Sequence, residues 1–154
     1  KSPLIVLLDL YEKMGFHFDH IYGFEVTPKD ANSVYTRKLP TKYVPSYHWI
    51  NVGVSKEKEN KLNPLHSIVK TFDEDDFIVV KIDIDTPSIE VPLAHQLLED
   101  DVLLKLVDQF YFEHHVHMGD MAGDWSWTMG GTIKESLQMF TKLREKGIAA
   151  HYWP

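Results

Sequence analysis

The chain has 154 residues, no cysteine and a formal charge of −7; 44% of its residues are hydrophobic and 25% charged, which suits a globular domain with a real core. Disulfides, thiolate metal sites and a cysteine nucleophile are excluded. Lys and Arg do not gather into a basic face, which argues against nucleic acid as the main partner.

The longest apolar run, Pro3 to Leu8, is far too short to span a bilayer. Asp9 and Glu12 interrupt it and no small-residue cleavage site follows, so neither a membrane span nor a signal peptide is expected. The expectation is a soluble protein, cytoplasmic by default. The absence of an initiating methionine suggests processing or truncation.

In chain order, residues 3–14 read as a helix, with Leu4, Leu7, Leu8, Tyr11 and Met14 at helical spacing and Gly15 to end it. A strand over Leu4 to Leu8 is the rival reading. His20 to Glu25 reads as a short buried strand. Thr27 then caps a helix with Pro28 at its first position, running to about Leu39, where Pro40 stops it. Tyr47 to Val54 is the next strand. Residues 55–63 are polar and read as a loop or hairpin, and Asp73–Asp76 as an exposed acidic turn. Phe77 to Ile84 is the strongest strand signal, its near-continuous apolar character suiting a parallel strand. Pro87 to Leu98 reads as a helix. A short helical lead-in precedes a strand at Val107–Glu113. Residues 118–131 form a Gly- and Trp-bearing loop, 132–146 an amphipathic helix ended by Gly147, and 148–153 a last strand.

Strands alternating with helices imply one α/β domain over residues 1–154, with a mostly parallel sheet covered by helices on both faces. Such sheets bind ligands beyond the carboxyl ends of their strands. Three predicted strands end there in ionisable groups: Glu25; Asp83 and Asp85; and Glu113, His114, His115 and His117. Unpaired buried charge is costly, so their convergence on one edge marks a candidate site. Glu25 can accept hydrogen bonds from ribose hydroxyls or stabilise the start of the next helix. Strand alternation places Glu113, His115 and His117 on one face, with Asp85 able to join them. Three readings stay open: hydrogen bonds to the following loop, a histidine base for an acceptor hydroxyl, or a zinc or iron site. Trp125 and Trp127 either cover a substrate as a lid or anchor the loop to the domain.

The segment from Ser67 to Glu90, SIVKTFDEDDFIVVKIDIDTPSIE, resembles the signature of FkbM-type methyltransferases. That family has a Leu-Asp pair upstream of a strand ending Lys-Ile-Asp-Val-Glu-Gly-x-Glu. Phe72-Asp73 takes the first position, Lys81-Ile82-Asp83 matches, Ile84 replaces Val, Asp85 replaces Glu, Thr86-Pro87 departs from the Gly, and Glu90 stands for the final Glu. Upstream, residues 23–28 (GFEVTP) resemble the family's acidic strand end and 51–55 (NVGVS) its Gly-containing third strand. The likeness spans about residues 20–115.

The resemblance implies a Rossmann-like fold, S-adenosylmethionine as cofactor, and methyl transfer to a hydroxyl of a small molecule or glycan. By that likeness Glu25 holds the ribose, and Asn51, Gly53 and Ser55 flank the adenine. Asp83, Asp85 and His115 are the candidate catalytic residues. Glu90, Glu113, His114, His117 and Trp125 are the candidate substrate-binding residues.

The first strand and Gly-rich turn usual in this fold are missing from the sequence. Residues before Lys1, a strand from a partner chain or second copy, or Leu4–Leu8 itself would supply the strand; the first is expected. Two other functions remain: a non-catalytic scaffold or assembly subunit covered by a protein partner, and a metal-dependent hydrolase or oxygenase using Glu113–His117.

Overall fold

The computed structural model describes residues 2–117 and 130–153. The chain divides into two compact units, residues 1–54 and 55–154. All strand pairing among the described residues is parallel, in a two-stranded sheet in the first unit and a three-stranded sheet in the second.

In the first unit, α1 (Pro3–Lys13) is a helix from its first residue. This removes the strand reading of Leu4–Leu8. Proline at the first helical position fits because that turn needs no amide donor. Ile5 and Leu8 sit at helical spacing and bury their side chains with Ile21, Val34, Leu39 and Tyr47. Strands β1 (Ile21–Phe24) and β2 (Tyr47–Ile50) pair in register from Ile21 with Tyr47 to Phe24 with Ile50. Gly23 is required here, since a Cβ at that position would overlap the Tyr47 ring.

The helix expected from Thr27 starts later. Asp30 caps it, accepting from the Ser33 amide, and α2 (Ala31–Ser33) runs on as a π-helical segment, Val34–Lys38. The physical reason lies just upstream. The Glu25 carboxylate takes the Thr27 amide and the Asn51 side chain takes the Lys29 amide, so these residues form a clamped turn instead of a first helical turn. Strand β2 likewise ends at Ile50, where the Val52 amide turns back onto the Ile50 carbonyl.

In the second unit, residues 55–63 form the expected polar loop. It ends on a helix that the sequence reading passed over, α3 (Pro64–Thr71), capped by Asn63. Then come β3 (Ile78–Ile82), α4 (Pro87–Glu99), α5 (Asp101–Leu106), β4 (Val107–Phe112), α6 (Ile133–Glu145) and β5 (Ala149–Tyr152). The strand order is β3-β4-β5. Side chains alternate across a strand, and the two faces differ sharply. Phe110, Phe112 and Ala150 are fully buried with Leu93, Leu97 and Leu143 of the helices. Phe112 packs near Phe140 of α6, ring centres 6.4 Å apart. The opposite face is aromatic and polar. Tyr111 stacks on His151 at 4.8 Å and meets Trp153 edge-on at 5.7 Å, while the Lys81 ammonium lies 5.1 Å from the Trp153 ring.

Helix α6 begins with a reciprocal cap: Thr132 Oγ1 accepts from the Glu135 amide, and the Glu135 carboxylate accepts from the Thr132 amide. Among the described residues no helix is long and apolar enough to cross a membrane. Replacing Thr132 by Ala removes the cap and is expected to lower unfolding free energy by about 1 kcal/mol. Leu137→Ala, on the exposed face of the same helix, should change it by less than about 0.5 kcal/mol. Urea titration of the two variants checks the contrast.

Candidate functional site

Strands β3 and β4 pair as far as Ile82 with Phe112, and the Glu113 amide then donates to the Ile82 carbonyl at 3.1 Å. Asp83 and Glu113 therefore leave the sheet side by side. The chain turns sharply after Asp83. Asp85 has φ of +56°, a left-handed conformation that Asp tolerates better than most side chains. Its carboxylate swings back toward the strand ends while remaining largely exposed.

His115 is the centre of the group. Its Nε2 lies 3.4 Å from Glu113 Oε1 and 3.6 Å from Asp85 Oδ1. Its Nδ1 faces Glu90 Oε1 at 3.5 Å. Glu90 comes from the first turn of α4 and is fully buried. One of its oxygens accepts from the Ile84 amide; the other, like His115 Nδ1, has no hydrogen-bond partner.

The electrostatics follow from this crowding. Burial, together with the neighbouring Asp83 carboxylate that shares its proton, pushes the Glu113 carboxyl up to about 7. Burial acts on Asp83 in the same sense, but Lys81, with Glu113 and His115, holds it net below the usual range. Lys81 forms an ion pair with Asp83. Burial also raises Glu90. The pair Asp83–Glu113 is thus split into an ionised member and one that is neutral through mildly acidic pH, the separation an acid–base site uses.

The remaining expected residues lie elsewhere. His114 points to the helix-covered face, where it stacks on Phe112 and its Nδ1 is 3.0 Å from Ser136 Oγ. Burial lowers its pKa. Such a neutral, buried imidazole tethers α6. His117 is exposed, and its backbone pairs with residues 131–132. Strand alternation thus holds for Glu113 and His115 and stops short of His117. Trp125 and Trp127 lie outside the described residues.

Glu25, Asn51 and Gly53 belong to the first unit. Glu25 binds the Thr27 amide at 2.9 Å and pairs with Lys29, which, with that amide, lowers its pKa. Asn51 ties the same turn through the carbonyls of Glu25 and Thr27 and the Lys29 amide. Gly53 lies against Val26. Ser55 opens the second unit, its Oγ accepting from the Glu57 amide.

Counted along the family motif, the final Glu position falls on Ser88, so Glu90 lies two residues beyond it. Lys81 matters beyond its place in the motif, since it decides which carboxyl of the pair is charged. Its position between apolar neighbours in β3 was the available signal. Compared with known proteins, the chain matches no family model, no curated protein and no solved structure.

The Glu113 shift carries a stability consequence. With a folded-state pKa of about 7 against roughly 4.3 unfolded, the folded state binds more protons between those values. Its contribution therefore makes stability fall as pH rises from about 4.3 to about 7. Glu113→Gln should flatten that part of the profile. Urea midpoints measured at pH 4.5, 6 and 7.5 test this; identical pH profiles for variant and parent would reject it.

Proposed function

We propose that the chain is an S-adenosylmethionine-dependent methyltransferase of Rossmann-like fold, acting on a hydroxyl of a small molecule or glycan. The observation that carries the reading is the meeting of Asp83, Asp85, Glu90, Glu113 and His115 at the carboxyl ends of β3 and β4. Parallel α/β sheets place their ligands at that edge, and the same segment resembles the FkbM-type signature.

The first unit supports the cofactor part. Glu25 and Asn51 sit at the adjacent carboxyl ends of parallel β1 and β2, and Glu25 is an ionised, partly exposed carboxylate. The Glu25 carboxylate can accept hydrogen bonds from the two hydroxyls of a ribose once Lys29 yields its place. The cofactor, when bound, supplies an electrophilic methyl group.

The second unit carries the acid–base group. The acceptor hydroxyl gives its proton to His115 Nε2. Glu90, buried 3.5 Å from Nδ1, stabilises the imidazolium that results. Asp85 on its turn and Glu113 orient the acceptor by accepting hydrogen bonds. Positioning of this kind removes much of the entropic barrier.

The test is calorimetric titration with S-adenosylmethionine. Binding is expected, and Glu25→Ala should weaken it about 10–100-fold, the worth of hydrogen bonds to a charged group. His115→Ala should leave that affinity within about threefold while abolishing methyl transfer. No binding by the parent protein would sink the reading.

A further inference from the structure

We infer that His115 Nε2, Glu113 and Asp85 form a binding site for a divalent cation of the zinc type, backed by Glu90 as an outer carboxylate. The ligand atoms of these three side chains lie within 4.8 Å of one another. The two distances from Nε2, 3.4 and 3.6 Å, match a tetrahedral site: bonds of about 2.1 Å place neighbouring ligands about 3.4 Å apart. Three protein ligands leave the fourth position open, as in zinc sites that act on a bound molecule.

Glu90 supplies the independent observation. It is fully buried, and its free oxygen is aimed at His115 Nδ1 without a hydrogen bond, 3.5 Å away. An uncompensated buried carboxylate is expensive. A cation on Nε2 resolves both orphans at once. It fixes the ring proton on Nδ1, makes that N–H a stronger donor, and lets it close on Glu90. Histidines that hold metals are supported by carboxylates in this arrangement. Lys81 of β3 is paired with Asp83 and lies over the Trp153 ring, so it does not fill the position. A mixed set of one nitrogen and two oxygens suits Zn²⁺ better than Mg²⁺ or Ca²⁺, which take oxygen ligands.

The open position takes water or the hydroxyl of an acceptor. A bound cation there lowers the pKa of that hydroxyl, so its proton passes to solvent; His115, bound to the cation through Nε2, then takes no proton. The inference uses the same side chains as the methyl-transfer reading but does not rest on it. Binding is read without S-adenosylmethionine, so either can fail while the other stands.

The experiment is titration of the chelator-treated, untagged full chain with Zn²⁺, followed by calorimetry. One equivalent should bind. Asp85→Asn and His115→Ala remove a ligand each and should weaken binding at least about 10–100-fold, and Glu90→Gln, which changes no ligand, by about 10-fold. His117→Ala should leave it unchanged. Asp85 is exposed, so its variant carries the test if His115→Ala does not fold. Titration with Co²⁺ gives a second readout, an intense visible spectrum of tetrahedral type that Asp85→Asn abolishes. Equal Zn²⁺ affinity in parent and Asp85→Asn, no binding at all, or a weak octahedral Co²⁺ spectrum would each overturn the inference.

Discussion

The hydrogen bond from the Glu113 amide to the Ile82 carbonyl carries the β3–β4 ladder one step beyond its last paired residues. Everything chemical in the second unit depends on that register. It sets Glu113 beside Asp83 and sends His115 to the same side, where Glu90 and Asp85 meet it. A slip of one residue would exchange the two faces. His114 would then enter the acidic group, and His115 would be driven toward Ser136 of α6. The penalty is large on both faces, because Phe110 and Phe112, fully buried beneath the helices, would turn outward with the slip. The core that stabilises the sheet and the geometry of the site are therefore one constraint.

Glu90 shows how the fold tolerates a buried carboxyl group. It lies in the first turn of α4, where the helix dipole favours negative charge. The Ile84 amide satisfies one oxygen. The other is left to His115, and burial raises its pKa in consequence. Removing the imidazole would leave the carboxyl group with one amide for company in an apolar setting. Glu90 and His115 are thus bound to each other energetically even though 3.5 Å separates their facing atoms.

Much of this arrangement was legible in the sequence. The apolar run of β3, the alternation that puts Glu113 and His115 on one side, and the boundaries of α1, α4 and α6 all follow from short-range patterns. What was not legible depends on partners distant in sequence. The start of α2 moves to the Asp30 cap because Asn51, just past the end of β2, captures the Lys29 amide. The helix α3 was passed over although Asn63-Pro64 is a sound start signal, because it is short and only Leu65 is buried. The inward turn of His114 follows from alternation alone, but its bond to Ser136 needs α6 in place. The burial of Glu90 under His115 cannot be read from either segment by itself. The likeness to the family motif pointed to that residue through a misplaced correspondence, and the geometry supplies the sounder reason for its importance.

The electrostatic division between Asp83 and Glu113 has its origin further back in the sheet. Two adjacent carboxyl groups repel, and without a bias each would be raised alike. Lys81 breaks the tie by pairing with Asp83. Lys81 is itself held by the indole of Trp153, and Trp153 is held by its amide bond to the Phe112 carbonyl, 3.0 Å long. That bond continues the β4–β5 ladder by one step, just as Glu113 continues the ladder between β3 and β4. The charge state of the site is consequently a property of all three strands. A change at the β5 edge that freed Lys81 would raise Asp83, lower Glu113 toward it, and remove the difference between the two carboxyl groups without touching either one.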